Sequence, residues 1–296
     1  MNHPDYNSPA ALRLFLEAQG FAMQKKFGQN FLINEAARVS LVDALSVTEG
    51  TTVWEVGPGL GSMTDELLRR GATVTAFEID YGFVSLLQQF FEPYAARGDF
   101  TLVEGDVLKT WEAHAKEKPM RFFGNLPYNV AATIIADMIE NDMRFEKMVV
   151  TVQKEVGERM CAKPATENYS SFSVLCQWAY TVKPLMDLAG GNFWPRPNVA
   201  SRALSLVRRD DFPRCKDPKL FMRLTRALFS ARRKTIRNNI QPLLQGCPAE
   251  RVFELAGIAA HERAENLSID ALLALSDALY TCLSEKKSEE KTDGRK

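Results

Sequence analysis

Between residues 52 and 161 the chain alternates short apolar segments with longer segments whose apolar residues recur every three or four positions. The short segments are typical of buried strands, and the longer ones are typical of helices that pack on a sheet. Strands and helices that alternate in this way form a mostly parallel sheet. The pattern therefore predicts an α/β fold with a doubly wound sheet.

The periodicity changes in the last third of the chain. From Pro218 to about Leu283 every periodic segment is helical, and the preceding segment, DDFPRCKDP, is rich in Pro and charge. We therefore predict an α/β domain over residues 1–209, a linker over 210–217 and a small all-α domain over 218–283. Residues 284–296 are charged and lack apolar anchors, which predicts a disordered tail.

The first 24 residues are expected to form a helical extension of the α/β domain. Ser8 can cap a helix whose first position is occupied by Pro9, and Gly20 suits its end. A second helix is predicted to begin near Asn34.

Composition excludes several classes of protein. No apolar segment approaches the ~20 residues that span a bilayer, and the N-terminus lacks the pattern of a secretory signal. The five cysteines are widely spaced, without the short spacing of a zinc or redox motif, and there are only three histidines. We expect a cytoplasmic protein with reduced thiols, no membrane association and no metal site.

Charge is unevenly distributed although the net charge is zero. Residues 196–245 contain thirteen Lys and Arg against three Asp. A neutral chain with one basic region is a candidate for binding an anionic partner there, and the alternative is that the region pairs with acidic surface nearby.

A glycine-rich turn follows the first strand of the alternating region. Gly57, Gly59 and Gly61 stand between that strand and a helix, where the backbone of an open α/β sheet can approach a ligand closely. Glu78 ends the next strand, where a carboxylate can accept hydrogen bonds from both hydroxyls of a ribose. These features are common to enzymes that use nicotinamide cofactors and enzymes that use S-adenosylmethionine.

Three details favour S-adenosylmethionine. The glycine spacing is GxGxG and not GxGxxG. Glu55, at the tip of the first strand, would oppose a pyrophosphate but suits a ligand with an ammonium and a sulfonium group. Asp106 follows the third strand and can accept a hydrogen bond from the adenine amine. The alternative for each residue alone is a solvated strand end.

The stretch FFGNLPYNV predicts a turn at the tip of the fourth strand. The side-chain oxygen of Asn125 and the carbonyl of Leu126 can accept the two N–H bonds of an adenine amine and orient its lone pair. Pro127 would stiffen the turn, and Tyr128 can stack on the base. The alternative is an ordinary turn between a strand and a helix.

These motifs match a known family. The sequence resembles the ribosomal RNA adenine dimethyltransferases, and most closely the KsgA-type small-subunit enzymes. The matching segments are KKFGQNFLIN, VWEVGPGLGSMT, AFEID, EGDVL, FFGNLPYNV, VTVQKEVGERM, NFWPRPNVASRALSL and ALFSARRKTIRNNI.

The resemblance implies a Rossmann-like class I methyltransferase domain with a helical RNA-binding domain after it. The residues implied to bind the methyl donor are Asn30, Leu32, Gly57, Gly59, Glu78, Asp106 and Asn125. Those implied at the reacting centre are Asn125, Leu126, Pro127 and Tyr128, with Phe193 packed on the target base. The alternative for Phe193 is ordinary core packing.

The resemblance also implies that a basic C-terminal segment binds RNA. Its candidate residues are Arg226, Arg232, Arg233, Lys234 and Arg237. Three of them, Arg226, Arg233 and Arg237, recur at spacings of seven and four and would share one helical face if the helix is continuous. The alternative is a solvated basic face.

The activity implied by the resemblance is dimethylation of the N6 amines of two adjacent adenosines near the 3′ end of small-subunit (16S) rRNA. S-adenosylmethionine would be the methyl donor, and the substrate would be rRNA within assembling 30S particles, late in assembly. We expect a monomer. The alternatives are a large-subunit rRNA methyltransferase that confers macrolide-type resistance, and an RNA-binding assembly factor whose chemistry is dispensable.

Overall fold

The computed structural model describes residues 3–21 and 30–293. Residues 1–2 and 22–24 of the predicted extension, residues 25–29 of the first matching segment, and residues 294–296 of the predicted tail lie outside the described residues. None of the described helices is long and apolar enough to cross a membrane.

The strands confirm the predicted α/β class. They are β1 Phe31–Leu32, β2 Thr52–Val56, β3 Thr73–Glu78, β4 Phe100–Glu104, β5 Arg121–Asn125, β6 Lys147–Gln153, β7 Tyr180–Leu188, β8 Phe193–Trp194 and β9 Ser201–Arg208. Seven strands form one sheet in the order β4-β3-β2-β5-β6-β9-β7, while β1 pairs with β8. Strands β2 to β6 run parallel to one another, and β9 is antiparallel to β6.

The helices follow the predicted alternation. They are α1 Pro9–Ala18, α2 Glu35–Leu45, α3 Ser62–Arg69, α4 Tyr81–Phe90, α5 Glu92–Ala95, α6 Val107–His114, α7 Ala131–Glu140, α8 Lys154–Cys161, α9 Ser171–Ala179, α10 Pro218–Phe229, α11 Ile236–Ile240, α12 Ala249–Ala256 and α13 Ile269–Asp293. Both predicted N-terminal starts are confirmed, because the Ser8 side chain accepts from the Ala11 amide and the Asn34 side chain accepts from the Ala37 amide.

Strand β7 was not predicted. It is one of the two edge strands of the sheet, it contains Pro184, and its side chains are mostly exposed between buried ends. Strand β7 therefore lacks both the apolar run and the regular alternation that identify strands in a sequence.

The chain divides into two compact units. The first contains the residues up to Gly157 together with Val182–Arg208, and the second contains Glu158–Thr181 and the residues from Arg209 onward. The later boundary lies next to the predicted end of the first domain at residue 209. The segment Glu158–Thr181 differs from the prediction, which assigned it to the first domain.

Packing within the second unit explains this difference. The Trp178 ring lies 4.7 Å from that of Phe221 in α10, and the Tyr169 hydroxyl donates to the Leu267 carbonyl. The predicted linker also packs there, since the Trp178 indole donates to the Pro213 carbonyl at 2.6 Å. Helix α13 continues to Asp293, beyond the start of the predicted disordered tail.

The parallel strands bring the candidate residues to one edge of the sheet. Strand β3 is in register with β2 and β4, so that Val56 pairs with Phe77 and Glu78 pairs with Glu104. Strand β5 lies on the other side of β2. The carboxyl ends of these four strands therefore meet, which is where an open α/β sheet binds its ligand.

Gly61 closes the turn between β2 and α3 in a conformation that favours glycine. Its φ is +83°, and a Cβ atom there would lie 2.6 Å from Cε2 of the buried Phe91 ring. The absence of a side chain lets the start of α3 pack directly on that ring.

We predict that Gly61→Ala lowers the free energy of unfolding by about 2–5 kcal/mol, because it adds overpacking to backbone strain. Gly98→Ala is the matched control, since Gly98 has φ +82° and a Cβ atom added there would meet nothing within 4 Å. The control isolates the strain of about 1 kcal/mol. Urea unfolding of both variants measures the difference, and equal losses would contradict the packing account.

Candidate active site

A cavity of about 210 Å³ opens at the carboxyl edge of the sheet. All the residues predicted to bind the methyl donor line it: Asn30, Leu32, Gly57, Gly59, Glu78, Asp106 and Asn125. The predicted turn residues Leu126, Pro127 and Tyr128 line it as well. The structure therefore brings these predicted residues together, although they span about a hundred positions of sequence.

Glu78 is fixed by backbone groups on both sides. Its Oε2 atom accepts a hydrogen bond from the Gly59 amide at 3.0 Å, and its Oε1 atom accepts from the Asp80 amide at 2.9 Å. The side chain is almost fully buried, and burial raises the pKa of its carboxyl. Each carboxylate oxygen has a further lone pair that can accept a hydroxyl of a bound ligand.

Glu55 lies at the tip of the neighbouring strand and is 1% exposed. Burial raises the pKa of its carboxyl to about 8, against the opposing effect of a hydrogen bond from the Thr64 hydroxyl at 2.7 Å. An uncharged carboxyl beside a ligand cavity would ionise readily next to a cation. Thr64 was not among the residues predicted from the sequence. Its only signal there is its position on the inner face of α3.

Asp106 caps the start of helix α6 with one of its two carboxylate oxygens. Its Oδ1 atom accepts from the Leu108 amide at 3.0 Å, and its Oδ2 atom accepts nothing from the described part of the chain. Ile79 and Val107 line the cavity nearby and offer apolar surface. An acceptor beside apolar walls suits an aromatic ring that carries an amine.

The turn after β5 presents two acceptors on adjacent residues. The Asn125 Nδ2 group donates to the Asn30 carbonyl at 2.9 Å. Because a carbonyl can only accept, this bond fixes the amide orientation and leaves Oδ1 as an acceptor. The Leu126 amide donates to the Thr151 carbonyl at 3.0 Å, and the Leu126 carbonyl accepts no hydrogen bond from any described residue.

Tyr128 is anchored at its hydroxyl. The Tyr128 Oη and Ser201 Oγ atoms form a hydrogen bond of 2.6 Å, and Ser201 is fully buried in β9. The bond holds the half-buried ring at the cavity. Ser201 had no signal in the sequence, because it is 73 residues away along the chain.

Phe193 lies apart from the other residues predicted at the reacting centre. It is 3% exposed, belongs to the hydrophobic core, and pairs through β8 with Leu32 of β1. It does not line the cavity. Its burial agrees with the core packing that was the alternative, and its contact with a target base stays a prediction.

The basic segment is not one continuous helix, so the condition for a single helical face shared by Arg226, Arg233 and Arg237 is not met. Helix α10 ends at Phe229 and α11 begins at Ile236. The buried Asn239 side chain donates to the carbonyls of Leu228 and Ala231, at 2.7 and 3.2 Å. These bonds satisfy carbonyls at the end of α10 and stabilise the break.

The five candidate RNA-binding residues are all exposed: Arg226, Arg232, Arg233, Lys234 and Arg237. Arg232 forms an ion pair with Glu265 at 3.1 Å, and Arg237 forms one with Glu250. Arg233 and Lys234 have no ion pair with any described residue, and their charges are therefore the most available to an anionic partner.

Comparison with known proteins identifies a family that matches most of the chain. Residues 20–280 match the family described as "Ribosomal RNA adenine dimethylase". The chain is 46% identical to the "Ribosomal RNA small subunit methyltransferase A" of Treponema denticola, over 94% of this chain and 97% of the relative. It is 48% identical to the protein of the same name from Treponema pallidum, over 95% of this chain and 99% of the relative.

Two solved structures share the fold. A dimethyladenosine transferase from Plasmodium falciparum superposes with a TM-score of 0.70 at 23% identity, over 82% of this chain and 94% of that one. The 23S rRNA methyltransferase ErmE superposes with a TM-score of 0.62 at 22% identity, over 85% of this chain and all of that one.

We predict that Glu55 makes the fold less stable as pH rises. The pKa of about 8 in the folded protein exceeds the ordinary value of 4.5, so its contribution is fully present below pH 4.5 and is lost as pH rises through 8. Glu55→Gln keeps the acceptor for Thr64 but cannot ionise. Between pH 5 and 8 the variant should gain up to about 1.4 kcal/mol per pH unit over the wild type.

Urea unfolding of both ligand-free proteins at four pH values measures this difference. Other titrating groups cancel in the comparison. A difference that stays constant from pH 5 to 8 would show that Glu55 ionises normally in the folded state.

Proposed function

The chain belongs to the ribosomal RNA adenine dimethylase family, and we propose that it dimethylates the N6 amines of two adjacent adenosines near the 3′ end of small-subunit rRNA. Family membership makes it an S-adenosylmethionine-dependent rRNA methyltransferase. The proposed substrate is rRNA within assembling 30S particles. We further propose that the protein acts as a cytoplasmic monomer late in subunit assembly.

The observation that carries the proposal is the pair of acceptors at Asn125 and Leu126 in the cavity wall. The exocyclic amine of adenine is a weak nucleophile because its lone pair is delocalised into the ring. Two fixed acceptors, one for each N–H, favour a pyramidal nitrogen with a localised lone pair. The turn would therefore bind the amine and activate it by orientation, and the nitrogen would lose its proton to water after transfer.

The residues of the cavity fit a methyl donor of this kind. Glu78 would accept the ribose hydroxyls, and Asp106 would accept from the adenine amine. Glu55, ionised by the approach of a cation, would balance the positive end of the ligand. When bound, S-adenosylmethionine supplies an electrophilic methyl group on a sulfonium centre.

The relatives favour the small subunit over the alternatives. The chain is 46–48% identical, over nearly its full length, to proteins named for the small subunit. Its likeness to the large-subunit enzyme is at 22% identity and concerns the fold alone. The intact pair of acceptors at Asn125 argues against a binding factor whose chemistry is dispensable.

We assign RNA docking to the second unit. Arg233 and Lys234 lie in the turn between α10 and α11, exposed and without ion pairs among the described residues. Arg226, Arg232 and Arg237 are exposed in the same region and would add contacts. Contacts of this type bind phosphates, position the RNA and carry little sequence information.

We predict that Asn125→Ala slows methyl transfer by about a hundredfold or more with RNA affinity nearly unchanged. A positioned hydrogen bond to the reacting group is lost, and losses of this kind have that magnitude. Single-turnover transfer at saturating donor and small subunits lacking the modification measures the rate. Asn141→Ala, which removes an exposed amide at the end of α7, is the control.

A wild-type rate of methyl transfer in Asn125→Ala would show that residues 125–128 form an ordinary turn without a role in the reaction. Nucleoside analysis of the product also tests the reaction itself. Methylation confined to large-subunit RNA would contradict the proposed substrate.

We predict that replacing Arg233 and Lys234 together with Ala weakens binding to small subunits and lowers the magnitude of the slope of log K against log salt by about 1.4–1.8. Donor affinity should not change. Replacing Lys116 and Lys118 of the first unit with Ala removes the same charge and controls for net charge. Equal salt slopes in the two double variants would exclude this turn as the docking site.

A further inference from the structure

The N-terminal segment, residues 3–21, is part of the first unit and not an appendage to it. Leu12 and Leu16 of α1 are 1% and 2% exposed and belong to the hydrophobic core. Residues at each end of the segment reach beyond this core contact to the walls of the donor cavity.

The first of these contacts is made by Tyr6. Its hydroxyl donates to the Leu60 carbonyl at 2.9 Å, and Leu60 stands between Gly59 and Gly61 of the glycine-rich turn. Burial raises the pKa of the Tyr6 hydroxyl, which therefore stays protonated as a donor. Within that turn the Gly61 amide donates to the Pro58 carbonyl. The hydrogen bond from Tyr6 adds a contact between the turn and the N-terminal segment.

The second contact is made by Phe21. Its ring stacks on Phe83 with a centroid distance of 5.5 Å and an interplanar angle of 6°. Phe83 lines the cavity and meets Phe31, another lining residue, edge to face at 5.6 Å. Gly82 makes room for this stack, because a Cβ atom there would lie 2.2 Å from Cε1 of Phe21.

The third contact ties the segment to β1 through Arg38. This guanidinium is 7% exposed, donates from Nη1 to the Leu32 carbonyl at 3.0 Å and from Nη2 to the Asn7 side chain at 2.6 Å. A buried cation that bridges two segments fixes both, because its release would leave polar groups unsatisfied.

We propose that Tyr6 and Phe21 are positioning residues for the methyl donor. They hold the glycine-rich turn and the aromatic wall of the cavity in the binding conformation before the donor arrives. Preorganised walls raise affinity because less ordering remains to be done on binding. The proposal rests on the proposed donor site and gives the N-terminal segment a role in it.

Calorimetric titration of S-adenosylmethionine into the full chain tests the proposal. Tyr6→Phe removes only the hydroxyl and should weaken donor binding about three- to tenfold. Gly82→Ala should weaken it similarly by displacing Phe21, although alanine in the first turn of α4 favours the helix. Arg13→Ala, on the exposed side of α1 and paired with Glu17, should leave the affinity unchanged.

A double variant distinguishes the steric clash between the Cβ atom added at position 82 and the Phe21 ring from other effects of Gly82→Ala. In a Phe21→Ala background the ring is gone, and Gly82→Ala should have no further effect on donor affinity. A persistent effect would overturn the assignment of Phe21, since Gly82 also lies near the Asp80 side chain.

Thermal unfolding without donor distinguishes positioning from stability. A lowered midpoint with unchanged donor affinity in both Tyr6→Phe and Gly82→Ala would overturn the proposal and leave the segment a purely structural role. Failure of the wild type to bind S-adenosylmethionine would instead refute the proposed donor site, so the two failures are distinct.

Discussion

The site depends on two buried carboxyls held at adjacent strand tips. Glu55 and Glu78 are 1% and 5% exposed, and burial opposes the ionised form of both. Hydrogen bonds from the Gly59 amide and the Thr64 hydroxyl offset part of that penalty. The same bonds shape the glycine-rich turn and the start of α3. Without a ligand, burial makes the ionised form of these two carboxyls unfavourable. A cationic ligand in the cavity would favour the ionised form, and the site is therefore suited to such a ligand.

One hydrogen bond connects the donor wall to the proposed substrate turn. Asn125 donates to the carbonyl of Asn30, the residue before β1, and β1 is held in turn by β8 and by Arg38. The orientation of the Asn125 oxygen thus depends on the position of the strand that lines the donor cavity. A displacement of β1 would disturb donor binding and amine orientation together.

The sequence could predict which residues line the cavity because most of them follow strands in chain order. Gly57, Glu78, Asp106 and Asn125 each lie at or just beyond the end of a parallel strand, and parallel strands end at one edge. What it could not predict depends on contacts between distant residues. Ser201 of β9 contacts Tyr128, which follows β5, across the intervening strand β6. The Asn239 side chain stabilises a break in a segment whose local periodicity favours a helix. An aromatic residue such as Phe193 could stack on a base or pack in the core, and its burial depends on the pairing of β8 with β1, which local sequence does not show.

The two proposed sites would bind their ligands by different physical means. The cavity of the first unit uses a few desolvated groups with fixed directions, which suits a small ligand and one exocyclic amine. The basic turn of the second unit uses exposed charges in high dielectric, where each contact is weak and screened by salt. Arg232 and Arg237 already have acidic partners, so phosphate must compete with Glu265 and Glu250 for them. Arg233 and Lys234 face no such competition among the described residues. Arg233 and Lys234 would therefore contribute most of the phosphate affinity, and Arg232 and Arg237 would contribute less than their charge suggests.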